Sequence, residues 1–296
     1  MLFFFEFSAH QSYDRYFHRA PRRSEDSHRS LTSQTAYRDG SRKGMDLTFG
    51  APLPNWVKSK YFPSEAGTSA ASSQPVRELL RGGILLRSIR QRGPGGKITS
   101  GPSLLVDQIL VASGASSIEQ LVKNKWEGNI SAVLSDEESR STCLYLKEVG
   151  LEERKSLSKV YVSPRIGLDL SHPGTTGPST LPLHPRIYFL PKLYRFFVHP
   201  HLLVANGRPQ TFLGVLHAHL DGSPSAETAL LKPSLSNDIA RVTGMKDATA
   251  AKYLADYRIG RKAGAEFLKT VIGPGGKGAA SSPSMYLKMI GAISTL

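Results

Sequence analysis

The sequence is poor in cysteine, in acidic residues and in long apolar runs. A single cysteine, Cys143, permits no intramolecular disulfide and excludes the cysteine clusters of zinc ribbons and iron–sulfur proteins. That agrees with a reducing compartment. No apolar stretch approaches the roughly 20 residues that a membrane span requires, so no membrane partner is expected. The opening Met1-Leu2-Phe3-Phe4-Phe5 is too short for a signal peptide and has no basic leader. Residues 15–43 are rich in Arg and Ser, as mitochondrial transit peptides are, but Glu25, Asp26 and Asp39 argue against that use. Acids number 24 against 38 Lys and Arg, which leaves a net charge of +14. A field of that sign attracts polyanions, nucleic acid first and acidic membrane surfaces second.

What is present is enough for a core. The 296 residues are 40% apolar, sufficient for one large domain or two ordinary ones. The 27 Gly and 19 Pro, together with Ser-rich stretches, lead us to expect poorly ordered arms around that core. Residues 1–75 mix charges of both signs with Ser and read as a disordered basic arm and linker. Within the following part, Val76 to Leu80 reads as a short helix and Ile84-Leu85-Leu86 as a buried strand. Pro102 to Val111 is a helix with Leu104, Leu105, Ile109 and Leu110 on one face, followed by a second helix from Ser117. Cys143 to Leu146, Val160 to Val162 and Tyr194 to Val198 read as strands, with Leu202 to Val204 extending the last, and 173–185 as an exposed loop. Residues 205–235, punctuated by Asn206-Gly207 and Asp221-Gly222, read as a linker. The segment 236–272 is a small helical module capped by Ser236 or Asn237, and 273–296 a mobile Gly/Ser-rich tail.

Three segments in order carry a family signal: Ile84-Leu85-Leu86-Arg87, then Ser100-Gly101-Pro102-Ser103-Leu104-Leu105, then Ser163-Pro164-Arg165-Ile166-Gly167 with Tyr194-Arg195-Phe196-Phe197-Val198 downstream. Together they resemble the alkyladenine (3-methyladenine) DNA glycosylase family over about residues 84–202. The resemblance implies an α+β domain at 76–204, a curved antiparallel sheet with packed helices. It implies base-excision repair in the nucleus, with the mitochondrion as the alternative, acting as a monomer on double-stranded DNA. The damaged purine is extruded from the stack, and a carboxylate-activated water cleaves its N-glycosidic bond through an oxocarbenium-like transition state, without metal or organic cofactor. The Glu-bearing strand that the family sets upstream has no match, so the catalytic residue is unknown and enzyme activity is left open. The alternatives are a DNA-binding relative without catalysis and a ubiquitin-binding adaptor.

The DNA contacts expected are Arg87, Arg90, Lys97, Ser103, Arg165 and Arg195. The first three belong to a run of six cations (Arg77, Arg81, Arg87, Arg90, Arg92, Lys97) against one acid, Glu78. Such clustering suits phosphate neutralisation, and a solvated basic face is the plainer alternative. Tyr194, Phe196 and Phe197 suit base stacking, although packing within a strand is the commoner use of such residues. His199-Pro200-His201 and His217-Ala218-His219 lack a supporting carboxylate or Cys, so no metal site is assigned. In the C-terminal segment, Ile239-Ala240, Val242-Thr243-Gly244 and Tyr253-Leu254 are similar to a ubiquitin-associated three-helix module. That resemblance implies an apolar patch at Met245, a last helix from Ala263 to Val271, and ubiquitin as a further partner. Arg258, Arg261 and Lys262 in this segment are additional candidates for DNA contact.

Overall fold

A computed structural model of the chain describes residues 12–19, 36–52, 79–91, 93, 95–132, 145, 158–171, 185–273 and 276–296. The fold is α+β, and its antiparallel strands are distributed over three small sheets among the described residues. The chain divides into two compact units, Met1–Gly150 and Leu151–Leu296. This division falls inside the stretch 76–204 that was expected to form one domain.

In the first unit, β1 (Ser12–Phe17), β2 (Met45–Pro52) and β3 (Leu79–Leu85) form an antiparallel sheet in that order, with Leu47 opposite Arg15 and Ile84. Met45 and Leu47 alternate with Asp46 and Thr48, which places the apolar pair on the buried face. β1 hides its alternation because one inward position is a cation. Arg15 is buried, donates to the carbonyls of Asn129 (2.8 Å) and Ile130 (3.3 Å), and lies 3.9 Å over the Trp126 ring. Phe17 stacks on that same Trp126 at 5.7 Å. The arm expected over 1–75 therefore contributes two strands of the sheet, because β2 and β3 pair across a long sequence separation.

β4 (Ser88–Arg90) and β5 (Ile98–Ser100) form a hairpin whose connecting loop spans residues 91–97. Gly101 adopts φ 125° and admits the chain to α1 (Pro102–Ala112), whose first residue is proline. α1 buries Leu105, Val106, Ile109 and Leu110, each contributing about 1.5–3 kcal/mol of apolar burial; Leu104 turns outward. α2 (Ile118–Gln120) is capped by Ser117, whose hydroxyl accepts from the Gln120 N–H, and continues into a π-turn over Leu121–Lys125.

The second unit is mostly helical. β6 (Tyr161–Ser163) and β7 (Arg195–Phe197) pair antiparallel, with α3 (Pro185–Phe189) between them in the chain. α4 (Arg208–Leu220) buries every residue from Gln210 to Leu216 and is the centre of the core. α5 (Ala226–Leu230), α6 (Leu235–Thr243), α7 (Asp247–Ala263), α8 (Ala265–Val271), α9 (Gly276–Ser281) and α10 (Pro283–Ile293) complete the unit. One apolar cluster joins Phe212 and Leu216 of α4, Ile239 of α6, Leu254 and Tyr257 of α7, and Leu287 and Ile290 of α10.

The segment 205–235 is not a linker: its turn dipeptides flank α4 instead of filling the stretch, and a helix buried on all sides shows no polar face to read. The tail 273–296 is not a mobile Gly/Ser-rich segment: after a Ser282 cap, Met285–Ile293 is apolar except for Lys288 and enters the core. The module 236–272 is not autonomous, because α6, α7 and α8 share their core with α4 and α10. Its first helix starts at Leu235, so neither Ser236 nor Asn237 caps it. Leu79 and Leu80 open β3 instead of closing a helix, pairing with Ala51 and Pro52, while residues 76–78 lie outside the described residues. Leu202 belongs to a 3-10 turn (Pro200–Leu202) entered through a left-handed His199, so β7 is not extended. Of Cys143 to Leu146 only Tyr145 is described, and it is not in a strand. The loop 173–185 lies outside the described residues except for Pro185, which opens α3.

Candidate nucleic-acid interface

The six expected DNA contacts separate by unit. Arg87, Arg90, Lys97 and Ser103 belong to the first, Arg165 and Arg195 to the second. Arg90 ends β4 and Lys97 precedes β5, so one hairpin carries both, and both are exposed. Gln91 donates its N–H to the Lys97 carbonyl (3.0 Å), which closes the hairpin below its tip. The tip itself needs glycine: Gly93 and Gly95 take φ of 111° and 68°, and a Cβ at Gly96 would meet the Gln91 carbonyl oxygen at 2.0 Å. Arg87 is half-buried at the junction of β3 and β4, and its carbonyl accepts from the Gly101 N–H (2.7 Å). Ser103 spends its hydroxyl proton on the Gly40 carbonyl (2.7 Å).

In the second unit Arg165 is exposed just beyond β6. Arg195 is turned inward instead of toward a phosphate. Its guanidinium donates to Ser163 Oγ (3.2 Å) and Thr211 Oγ1 (3.1 Å) and covers the Phe197 ring at 4.3 Å. Ser163 and Thr211 are fully buried, and each donates its own proton to a carbonyl, that of Pro164 and of Gly207. Close by, Tyr286 of α10 is hydrogen-bonded to Gln210; burial pushes its hydroxyl far above the ordinary phenol range, against the pull of Gln210 and Arg195. This polar network holds β6 and β7 onto α4. Gly214 makes the contact possible, because a Cβ there would lie 2.6 Å from the Phe197 ring.

The aromatic residues of β7 and of the position before it divide between two surroundings. Phe197 faces inward and stacks on Tyr161 at 5.7 Å. Tyr194 and Phe196 face outward, 58% and 51% exposed, which the packing expectation for this strand did not separate. Only knowledge of which neighbour, Arg195 or Phe196, points at α4 would have told them apart.

The remaining sequence candidates are mostly engaged internally. Arg258 donates to the Leu230 carbonyl, and Arg261 pairs with Glu227 and donates to Ser294 Oγ (3.1 Å), whereas Lys262 is exposed. The His199 and His201 rings meet edge to face at 6.0 Å. Among the described residues no group of three or more His, Cys, Asp or Glu is placed to hold a metal ion. Met245, expected in an exposed ubiquitin-binding patch, is 6% exposed and packs in the core. The one buried carboxylate among the described residues, Asp256, is paired with Lys252 (3.0 Å) and Lys288 (3.8 Å) in helical packing. No helix among the described residues is long and apolar enough to cross a membrane.

Comparison of the chain with family models, with proteins of curated function and with solved structures finds no match in any of the three.

Proposed function

We propose that this chain is a DNA-binding protein that engages the duplex through the β4–β5 hairpin of its first unit and does not release bases. The carrying observation is the hairpin itself: a two-stranded ribbon with a glycine-built tip and with Arg90 and Lys97 exposed where the tip joins the strands. A ribbon of this kind is narrow enough for the major groove of B-form DNA. Its cations, in a chain of net charge +14, neutralise phosphates and release condensed counterions. The base-excision reading rests on the order of three sequence motifs and requires a carboxylate free to activate water. The sequence has no match for the family's Glu-bearing strand, and the buried Asp256 is committed to two lysines, so binding without excision stands first.

The test combines two measurements on the full chain. Duplex affinity is followed by fluorescence anisotropy as salt is raised, and a linear fall of log K with log salt is expected. A hypoxanthine-containing duplex is then incubated at single turnover and treated with alkali, with intact strands as the expected result. Affinity independent of salt would end the DNA reading, and strand scission would restore the glycosylase.

A further inference from the structure

We infer that the outward face of the β6–β7 ribbon is a stacking site for the unpaired bases of single-stranded nucleic acid. This extends the reading above to a second surface and a different nucleic-acid form.

The inward face of the ribbon is fixed. Phe197, Arg195, Tyr161 and Ser163 are tied to one another and to α4 through the contacts described above. Strand alternation then leaves Phe196 on the opposite face, with the exposed Tyr194 just ahead of the strand, and the pairing of Val162 with Phe196 brings an apolar side chain beside the second ring. Both residues are more than half exposed. The two rings are two residues apart in the chain, so they offer two neighbouring platforms beside a paired strand. Stacking on such platforms is tolerant of sequence because every base has a π-face.

The charge around the ribbon selects the occupant. From Ser158 to Val204 the sequence carries Lys159, Arg165, Arg186, Lys192 and Arg195 against one acid, Asp169. Asp169 is turned to its own chain, accepting from the Ser171 N–H at 2.7 Å. Lys192 and Arg165 are exposed. A polyanion with accessible ring faces satisfies both features. A duplex satisfies only the charge, since its bases are stacked on each other and present only their edges. A second copy of the ribbon would satisfy only the rings, since it would bring the same cations face to face.

The test uses the full chain with a fluorescein-labelled 12-nucleotide thymidine strand and a 12-base-pair duplex, read by anisotropy. The single strand is expected to bind, and Tyr194→Ala and Phe196→Ala are each expected to weaken it about tenfold or more, with Tyr194→Phe retaining wild-type affinity. Duplex affinity is expected to be unchanged by all three, and circular dichroism unaltered, because both rings lie outside the core. Unchanged affinity for the thymidine strand in the Phe196→Ala and Tyr194→Ala chains would overturn the inference while leaving duplex binding intact. Self-association by sedimentation, or binding to anionic lipid vesicles, that is lost in the alanine variants without an effect on the thymidine strand would overturn it in favour of another occupant. Failure to bind either nucleic acid would overturn this inference and the proposed function together.

Discussion

Gly260 of α7 lies so close to Lys288 of α10 that a Cβ on the glycine would fall 1.9 Å from the lysine carbonyl oxygen. The contact is reciprocal, since a Cβ on Gly291 would fall 2.2 Å from the Tyr257 carbonyl oxygen. Two helices meet backbone to backbone there, and neither partner is a side chain that can swing aside. Alanine would raise intrinsic helix propensity at either position by about 1 kcal/mol, yet overpacking against a backbone costs about 1–3 kcal/mol and occasionally more. Gly260→Ala and Gly291→Ala are therefore expected to be destabilising, by up to about 2 kcal/mol net, in urea unfolding monitored by circular dichroism. A gain in stability at either position would show that the helices separate freely.

Arg195 links three elements through Ser163, Thr211 and the Phe197 ring. Arg195→Met keeps much of the packing over Phe197 and removes the two donated hydrogen bonds, so a loss of about 1–3 kcal/mol is expected. Thr211→Val, measured alone and in combination, isolates the shared bond. A coupling of about 1 kcal/mol is expected from the double-mutant cycle, and strict additivity would deny the bond any energetic role.

His217 of α4 has its Nε2 buried without a hydrogen-bond partner among the described residues. Burial holds its pKa below the ordinary 6.5, against the opposing pull of Asp221. The folded state thus binds this proton more weakly than the unfolded state. The stabilising effect of the neutral ring is complete above about pH 6.5 and declines as the pH falls toward the lower folded value, with a slope of at most about 1.4 kcal/mol per pH unit. Unfolding free energies measured from pH 7.5 to 5.5 are expected to fall less steeply in His217→Gln than in the parent chain. Equal slopes would place the titrating group elsewhere.

Arg90 and Lys97 flank the connecting loop of the β4–β5 hairpin, both exposed. If each neutralises one phosphate, Arg90→Ala or Lys97→Ala lowers the magnitude of the salt slope of duplex binding by about 0.9. The double substitution is expected to lower it by about 1.8, with little change in stability because neither residue is in the core. An unaltered slope would move the duplex contact off this hairpin.

Much of the secondary structure was determined locally. Pro102 followed by Leu105, Ile109 and Leu110 specifies α1, Ser117 caps α2, and the β-branched and aromatic runs at Val160–Val162 and Tyr194–Val198 specify β6 and β7. The low cysteine content and the excess of positive charge limited the partners before any folding was considered. What the sequence could not determine depends on contacts far apart in the chain. β1 and β2 are strands because they pair with each other and with β3, and Arg15 is acceptable inside because Trp126 and two carbonyls, more than 100 residues away, receive it. α4 and α10 carry little polar periodicity because the core surrounds them, so local pattern gave a linker and a tail in their place. The same limit applied to function. The residues of β7 were visible as a basic and aromatic run, but whether Arg195 or Phe196 faces outward is decided by Thr211 and Gly214 of α4, which the strand meets only in the folded chain.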